Sequence, residues 1–374
     1  MLADPIAALF DLPAHNPSFQ TVLTGSGRAD DVLDFCVPVN TYFPPPGLRD
    51  SIAEHLDSLL KYYPDHGEAN RKNLADLISV PSENLVVGNG STEIITVLCR
   101  QVCGGLITPI PTFGQWTDLP PQFGKPVQYI MQHAERGFVL SVNSIVDQVR
   151  SSGARTFVLC NPNNPTGAVL SGTEIERLVD ELKDLDRIVI DESFIDFADA
   201  PSAVSLAVKS HNLVVVKSLG KSLGWHGIRL GYAVDNKALA GCIRGELPGW
   251  NINGVAAFVL ANLHRHVPAY RDSLRKTQRD RDDMYARLGE LTGISVFPSA
   301  ANFLLIELPA SVDGALVRDR LLADFDLFVR ECSNKIGSSA RYFRLAVRPR
   351  ADVDRLMHAM HEILSPRKVV KSHG

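Results

Sequence analysis

The sequence predicts an α/β protein: a three-layer sandwich with a mainly parallel sheet of seven strands, joined to a smaller α+β domain. The chain has 374 residues, roughly two to three times the length of an ordinary domain. Short apolar runs alternate with amphipathic stretches from about residue 84 to 234. Beyond about residue 254 this alternation stops and a different order of helices and strands begins. We therefore expect two packed domains of different architecture.

The predicted strands of the large sheet are short apolar runs, most of them rich in Val and Ile, as buried strands are. They are NLVVG (84–88), GGLIT (104–108), PVQYIM (126–131), TFVLC (156–160), RIVID (187–191), NLVVVK (212–217) and LGYAV (230–234). Helix-like segments such as 91–101 and 172–185 separate them. This spacing indicates crossover connections, and such sheets bind ligands outside the carboxyl ends of their strands.

The second part of the chain opens with a long helical stretch over 254–290, interrupted near Pro268. It continues with SVF (295–297), NFLLIEL (302–308), a helix near 313–323, FVRE (328–331), FRLAVR (343–348) and a final helix over 351–364. We expect residues 1–45 to form an N-terminal arm and part of the small domain. Residues 46–250 would form the large ligand-binding domain, and residues 251–374 the small C-terminal domain.

Composition excludes several classes of protein. Lys and Arg total 38 against 42 Asp and Glu, a net charge of −4, which argues against a nucleic-acid binder. No apolar stretch approaches the ~20 residues that span a bilayer, and the N-terminal sequence lacks the pattern of a signal peptide. The six cysteines form no C-x-x-C pair, so neither a zinc site nor a disulfide framework is expected. Reduced thiols fit a cytoplasmic protein. His264 and His266 are expected on a solvated helix face rather than at a metal.

The segment KSLGKSLGWHGIRLGYAV (217–234) follows a predicted strand and holds Lys221 among glycines and small residues, with Arg229 eight positions later. Small neighbours let a lysine amine approach a planar cofactor, and nearby cations or a dry pocket lower its pKa. The alternative is an ordinary basic surface loop.

Two further segments favour a catalytic function. CNPNNPTG (160–167) follows one strand with a run of turn residues. IVIDESF (188–194) places Asp191 at the end of an apolar strand, where a carboxylate needs a cationic or hydrogen-bonded partner. A protonated pyridine nitrogen would be such a partner.

A third segment predicts an anion site. GNGSTEII (88–95) puts two glycines and then Ser91 and Thr92 at the start of a helix. Free N–H groups and the helix dipole favour an anion there. Ser91 could also be a plain helix N-cap, and both interpretations can hold together.

These motifs resemble those of fold type I pyridoxal-phosphate (PLP) enzymes of the class I/II aminotransferase family. The most similar branch contains histidinol-phosphate aminotransferase and threonine-phosphate decarboxylase. The resemblance extends from about residue 33 to 364, and four motifs occur in the family's order at the family's approximate spacing.

The resemblance implies PLP as cofactor and a role for each matching residue. Lys221 would form the Schiff base and later move the substrate proton, and Asp191 would pair with the pyridinium nitrogen. Asn164 would donate to the phenolic oxygen of the cofactor. Phe113 would stack on the ring.

The resemblance also implies the residues that bind the cofactor's phosphate. Ser91 and Thr92 at the helix start would be joined by Ser218 and by Arg229, a charge-assisted donor. Tyr63 would reach the phosphate of the neighbouring subunit, which implies a homodimer with shared active sites.

On the substrate side, Arg344 matches the family's carboxylate-binding arginine, and Asn40 lies in the segment that closes over the substrate. Arg348 would add a second cation, as a substrate with both a carboxylate and a phosphate requires. The favoured function is a PLP-dependent aminotransferase of a small amino acid or a phosphorylated amino substrate. Alternatives are decarboxylation of a threonine-phosphate-like amino acid, or another PLP reaction such as β- or γ-replacement or cyclisation. A binding protein without turnover is disfavoured, because the residues expected to act on the cofactor are present.

The chain departs from the family pattern at several positions. Phe194 stands where many members have tyrosine, and Gly220 replaces the serine before the Schiff-base lysine. The His-Gly-Gly stretch of the decarboxylase branch is missing from the matching region, 22–33. Trp225 and His226 stand where the family is commonly small or aliphatic, so they could reshape the pocket or pack the domain interface.

Overall fold

The computed structural model describes residue 10 and residues 17–26, 32–64 and 67–365. Its strands are β1 (Leu33–Asp34), β2 (Leu85–Asn89), β3 (Leu106–Ile110), β4 (Val127–Met131), β5 (Thr156–Cys160), β6 (Arg187–Asp191), β7 (Leu213–Ser218), β8 (Leu230–Val234), β9 (Ser295–Phe297), β10 (Phe303–Glu307), β11 (Leu327–Phe328), β12 (Arg330–Glu331) and β13 (Tyr342–Ala346). Its α-helices are α1 (Phe19–Ser26), α2 (Pro46–Lys61), α3 (Gly67–Ile78), α4 (Ser91–Gln101), α5 (Gln115–Gln122), α6 (Val142–Ser152), α7 (Gly172–Glu181), α8 (Val204–Lys209), α9 (Leu219–Ser222), α10 (Lys237–Gly245), α11 (Gly254–Asn262), α12 (Val267–Leu288), α13 (Gly314–Phe325) and α14 (Arg350–Leu364).

The large sheet has seven strands in the order β2-β8-β7-β6-β5-β3-β4. Strand β8 runs antiparallel to both neighbours, and the remaining pairs are parallel. Successive residues of a strand enter opposite cores, as Val215 and Val216 show, because side chains alternate across a sheet. Helices cover both faces, so the predicted α/β sandwich is confirmed.

The predicted strand bounds agree well with the structure where the apolar run is compact. TFVLC, RIVID and LGYAV are β5, β6 and β8 without any shift. Helices α2 and α3 were not predicted from the sequence. Few of their residues are buried: Leu48 in α2, and Asn70, Leu74 and Ala75 in α3. A weakly apolar helix of this kind has little periodic signal.

The small domain is built on an antiparallel sheet in the order β12-β13-β10-β9. The prediction of one strand over FVRE is wrong, because the chain divides it between two sheets. Strand β11 pairs in parallel with β1, whereas β12 pairs with β13. The N-terminal strand is thereby joined to the small domain.

The expected domain boundary near residue 251 stays a prediction, and the packing of the helices that follow it bears on its position. Helix α11 buries Ala256 and Val259 in the core of the large sheet, and Met284 of α12 enters the core of the small domain. We therefore propose a boundary within α12. Pro268 lies in the first turn of α12, where proline is tolerated, so it marks the start of that helix.

The described residues include no helix that is both long and apolar enough to cross a membrane. They also contain no cluster of three or more side chains suited to holding a metal ion. All six cysteines are free thiols.

Candidate active site

A cavity of about 360 Å³ lies where the carboxyl ends of the large sheet's strands face the small domain. The large domain contributes side chains that follow its strands, and the small domain contributes side chains from β12, β13 and the connection between them. The ionisable lining residues are Cys36, Asp118, Lys221, His226, Arg229, Arg330, Lys335 and Arg344. Ser91, Thr92, Phe113, Asn164 and Ser218 also line it. The structure therefore brings together most of the residues identified from the sequence.

Asp191 is the last residue of β6 and is buried. Its Oδ2 accepts a hydrogen bond from Trp116 Nε1 at 2.9 Å, and its Oδ1 accepts one from the Ser193 backbone N–H at 3.0 Å. Asp191 lines a small recess together with Phe113 and Lys221. These two donors hold a buried carboxylate in one orientation.

Lys221 lies in the short helix α9, directly after β7. Burial lowers its pKa to about 8, opposed by Asp191 and assisted by Arg344 and Arg229. Its Nζ lies 5.0 Å from the centre of the Phe194 ring. A lysine with this pKa has a substantial neutral fraction near neutral pH, as a nucleophilic amine requires.

The start of α4 has the form of an anion site. Gly90 precedes the helix with φ 77° and ψ 163°, and it offers no side-chain cap. Because Gly90 is the N-cap and Ser91 is the first helical residue, the interpretation of Ser91 as the N-cap is wrong. A Cβ on Gly90 would lie less than 3.0 Å from the Arg229 guanidinium, so the absence of a side chain at Gly90 is what lets Arg229 lie against the turn that precedes α4. Arg229 itself has a left-handed φ of 54°.

Arg344 is buried in the middle of β13. Its Nη1 donates to Asn164 Oδ1 at 2.8 Å, and its Nη2 donates to the Cys36 carbonyl oxygen at 2.7 Å. Its Nε is buried without a hydrogen-bond partner. A charged donor left in this state is costly, which indicates an anionic ligand beside it.

Arg348, predicted as a second cation beside Arg344, is placed elsewhere. Its guanidinium pairs with Asp352 at 2.8 Å, and it does not line the cavity. The cations that do line the cavity near Arg344 are Arg330 and Lys335. Arg330 is buried, and its Nη2 donates to Asn334 Oδ1 at 2.7 Å. The sequence signal for Arg330 was an arginine inside an apolar run, the same signal that Arg344 gives.

Lys335 follows β12 in the connection to β13. Its Nζ donates to the Thr112 carbonyl oxygen at 2.8 Å, which joins the small domain to the large one. Burial lowers its pKa to about 8, with Arg344 and Arg330 acting in the same direction. An anion bound beside Lys335 would stabilise its charged ammonium form.

Asn40, predicted to bind substrate, has its side chain engaged in the protein. Its Nδ2 donates to the Ser222 carbonyl oxygen at 2.9 Å and to Ser273 Oγ at 2.7 Å. Its backbone N–H donates to the Lys221 carbonyl oxygen at 3.0 Å. Asn40 therefore fixes the lysine-bearing turn against α12.

Tyr63 lies on the surface with 84% of its side chain exposed, and it does not line the cavity of its own chain. Its ring packs against Trp250, with the ring centres 5.3 Å apart. The predicted contact of Tyr63 with a neighbouring subunit stays a prediction. The missing His-Gly-Gly stretch concerns residues 22–33, of which 27–31 lie outside the described residues.

The departures at Gly220, Trp225 and His226 are structurally connected. A Cβ on Gly220 would lie 3.1 Å from both the Trp225 carbonyl oxygen and His226 Cα, a tight contact that glycine avoids. His226 lines the cavity, whereas Trp225 packs against the core of the large domain. Burial lowers the pKa of His226 to about 3, with Lys221 beside it, so the imidazole is neutral at neutral pH.

The donor set fits pyridoxal 5′-phosphate. The amine of lowered pKa and the start of α4 with Arg229 beside it line the cavity, and the buried carboxylate of Asp191 lines the small recess that shares Lys221 with it. These groups match the aldehyde, the ring nitrogen and the phosphate of that cofactor. The fold and the site thus define a PLP-dependent enzyme of fold type I.

Comparison with known proteins identifies the family. The sequence model for aminotransferase class I and II matches residues 30–360, and the chain belongs to this family. The predicted family, fold class and PLP cofactor are confirmed.

Three known proteins are similar to this chain over most of its length. The CMP-5′-(3-aminopropyl)phosphonate synthase of Streptomyces rubellomurinus is 33% identical over 348 residues, which are 92% of this chain and 55% of that protein. This chain thus spans about half the length of that relative. The L-serine phosphate decarboxylase Cj1436c of Campylobacter jejuni is 28% identical over 370 residues, covering 94% of this chain and 93% of that protein. The structure of a decarboxylase from Sulfurospirillum multivorans has a TM-score of 0.87 at 27% identity, covering 96% of this chain and 95% of that one.

Proposed function

We propose that the protein is a PLP-dependent decarboxylase of a small α-amino acid that carries a phosphate or phosphonate group. The observation that carries this proposal is the charge of the cavity. Its lining contains five cationic side chains and one carboxylate, Asp118. Two of the cations, Lys221 and Arg229, are needed for the cofactor.

The other three cations support the proposed substrate class. Arg330, Lys335 and Arg344 come from the small domain, whereas the phosphate-binding candidates Ser91 and Thr92 come from α4 of the large domain. An α-carboxylate and a phosphate or phosphonate dianion together carry about three negative charges near pH 7. Such a substrate would place its negative charges in a cavity lined mainly by cations, whereas a substrate with a neutral side chain would bring no anion to the buried Lys335 ammonium.

The choice of reaction depends on which bond of the substrate is held perpendicular to the cofactor ring. A perpendicular Cα–carboxylate bond leads to decarboxylation, and a perpendicular Cα–H bond leads to transamination. The similarity to the Campylobacter jejuni decarboxylase over nearly the full length of both chains supports the first outcome. Transamination of the same class of substrate is the second candidate, favoured by the class of the family.

The residues would divide the work as follows. When bound, PLP supplies an electron sink for the pair of electrons left at Cα. Lys221 would hold the cofactor and carry a proton at Nζ, and Asp191 would keep the ring nitrogen protonated. Asn164 accepts a hydrogen bond from Arg344, so it would link the residue that binds the substrate carboxylate to the phenolic oxygen of the cofactor. Exposed Tyr63 would complete the site of a second subunit in a homodimer.

The reaction is tested by single-turnover experiments on the holoenzyme without a keto acid. The probes are O-phospho-L-serine, O-phospho-L-threonine and 2-amino-4-phosphonobutanoate, each labelled with ¹³C at the carboxyl carbon. The expected result is release of labelled carbon dioxide with the cofactor spectrum restored. Formation of pyridoxamine phosphate and a keto acid would instead establish the transaminase. No reaction with any phosphorylated probe would contradict the proposed substrate class.

The charge argument is tested by Lys335→Met. We expect the KM for the phosphorylated substrate to rise roughly ten- to hundredfold, since one charged hydrogen bond is lost. The KM for the unphosphorylated amino acid should change little. The matched control is Lys183→Met, because Lys183 is exposed and forms an ion pair with exposed Asp180. Equal losses for both substrates would contradict a role of Lys335 in binding the second anion.

A further inference from the structure

We infer that Trp116 is the positioning residue for Asp191, and that its indole N–H holds this carboxylate in the orientation that faces the ring nitrogen of the cofactor. The observation is a hydrogen bond of 2.9 Å from Trp116 Nε1 to Asp191 Oδ2. The inference rests on the PLP cofactor and goes beyond the choice between decarboxylation and transamination.

Trp116 is held firmly enough to act as a support. It is 1% exposed and packs in the core on one face of the large sheet, among residues of α4 and of the central strands. Helix α5 carries it, and its backbone N–H donates to the Phe113 carbonyl oxygen at 3.0 Å. The stacking candidate Phe113 and the Asp191 partner Trp116 thus lie on one turn of chain, so cofactor ring and carboxylate share a common support.

The two donors to Asp191 are both neutral. Trp116 supplies an indole N–H, and Ser193 supplies a backbone N–H. Neutral donors orient the carboxylate and bring no positive charge that would compete with a pyridinium for it. A carboxylate oxygen has more than one acceptor site, and Oδ2 can therefore serve the indole and a second donor together.

The thiol of Cys160 supports the same arrangement. It lies at the end of β5, opposite Asp191 in the sheet register. Burial, together with the negative charge of Asp191, raises its pKa to about 12. The neighbouring thiol is therefore neutral near pH 7 and adds no second negative charge beside Asp191.

Loss of the indole N–H would leave Asp191 Oδ2 buried without its partner. With one of its two donors gone, the carboxylate is no longer held in the orientation that faces the cofactor. A misoriented carboxylate pairs less well with a pyridinium, so the variant would hold the cofactor with its ring nitrogen less protonated. The expected consequences are weaker PLP binding and a changed ring-nitrogen signal, both measurable without substrate.

The test compares Trp116→Phe with a variant carrying benzothienylalanine at position 116, which keeps the shape of the indole and replaces its N–H by sulfur. Both are prepared as holoenzymes with ¹⁵N-labelled PLP. We expect the dissociation constant of PLP to rise about tenfold, the effect of one hydrogen bond to a charged group. The ¹⁵N chemical shift should move toward the unprotonated pyridine value.

The matched control is benzothienylalanine at position 225, where the indole packs against the core and is not bonded to Asp191. It should retain the wild-type PLP affinity and ¹⁵N shift. A wild-type affinity and ¹⁵N shift in the benzothienylalanine 116 variant would overturn the inference, whatever the melting temperature of Trp116→Phe. Because no substrate is used, failure of the proposed decarboxylation leaves this result unaffected.

Discussion

Gly90 offers the sharpest test of the phosphate site, through the substitution Gly90→Ala. Its φ of 77° and ψ of 163° lie in a region that is almost restricted to glycine. An added Cβ would also lie less than 3.0 Å from the Arg229 guanidinium. The substitution therefore strains the backbone and displaces the arginine that faces the start of α4.

The two effects have separate magnitudes. The backbone strain should lower the free energy of unfolding of the apoenzyme by about 1–3 kcal/mol. Displacing Arg229 removes a charged hydrogen bond to the phosphate, about 1.5–3 kcal/mol. Since 1.4 kcal/mol is a factor of ten, the dissociation constant of PLP should rise roughly ten- to hundredfold.

The assay is a PLP titration of the apoenzyme by tryptophan fluorescence, with thermal melting of the same samples. The matched control is Gly124→Ala, because Gly124 also has a positive φ, 69°, and its added Cβ would meet nothing within 4 Å. The control should lose stability, by about 1–2 kcal/mol, and keep its affinity for PLP.

The result that refutes the reasoning is an affinity for PLP in Gly90→Ala within about twofold of wild type. It would show that Arg229 at this position contributes nothing to binding the phosphate. An equal loss of affinity in Gly124→Ala would show instead that general destabilisation weakens PLP binding. The proposed phosphate site at the start of α4 would then have no support from this experiment.

Two further predictions concern pH. Because the pKa of Lys221 is lowered to about 8, the rate at which the apoenzyme captures PLP should rise with pH to about 8 and then level off, as followed by stopped-flow absorbance; a rise continuing to pH 10 would contradict the lowered pKa. His226 has a pKa of about 3 in the folded chain against 6.5 when exposed, so below pH 6.5 the unfolded state takes up the proton first. Its contribution to stability is therefore present above pH 6.5 and is lost as the pH falls toward 3. Between pH 6.5 and 5, the free energy of unfolding should decrease by roughly 1–2 kcal/mol less in His226→Asn than in the wild type. Urea unfolding at both pH values measures this difference. Equal decreases in the two proteins would contradict the lowered pKa of His226.

The sequence by itself determined the large sheet and the positions of the residues expected to act on the cofactor. The reason is local: compact apolar runs define β5, β6 and β8, and Asp191 and Lys221 lie at or just beyond strand ends. In a parallel sheet those ends meet at one edge. The order of strands along the chain therefore brings such residues together without any knowledge of the small domain.

The tertiary structure alone decided which side chains meet across long stretches of chain. Trp116 and Asp191 are 75 positions apart, and Arg344 and Asn164 are 180 apart. Arg348 and Lys335 are both basic residues next to short strands, yet Arg348 pairs with Asp352 and Lys335 reaches Thr112 across the domain interface. Periodicity and motifs predict the helix or strand in which a residue lies. The residue's hydrogen-bond partner depends on how that element packs against elements distant in the chain. The positions of Arg330, Lys335 and Arg344, on which the proposed substrate class rests, were for this reason decided by the packing of the small domain on the large one.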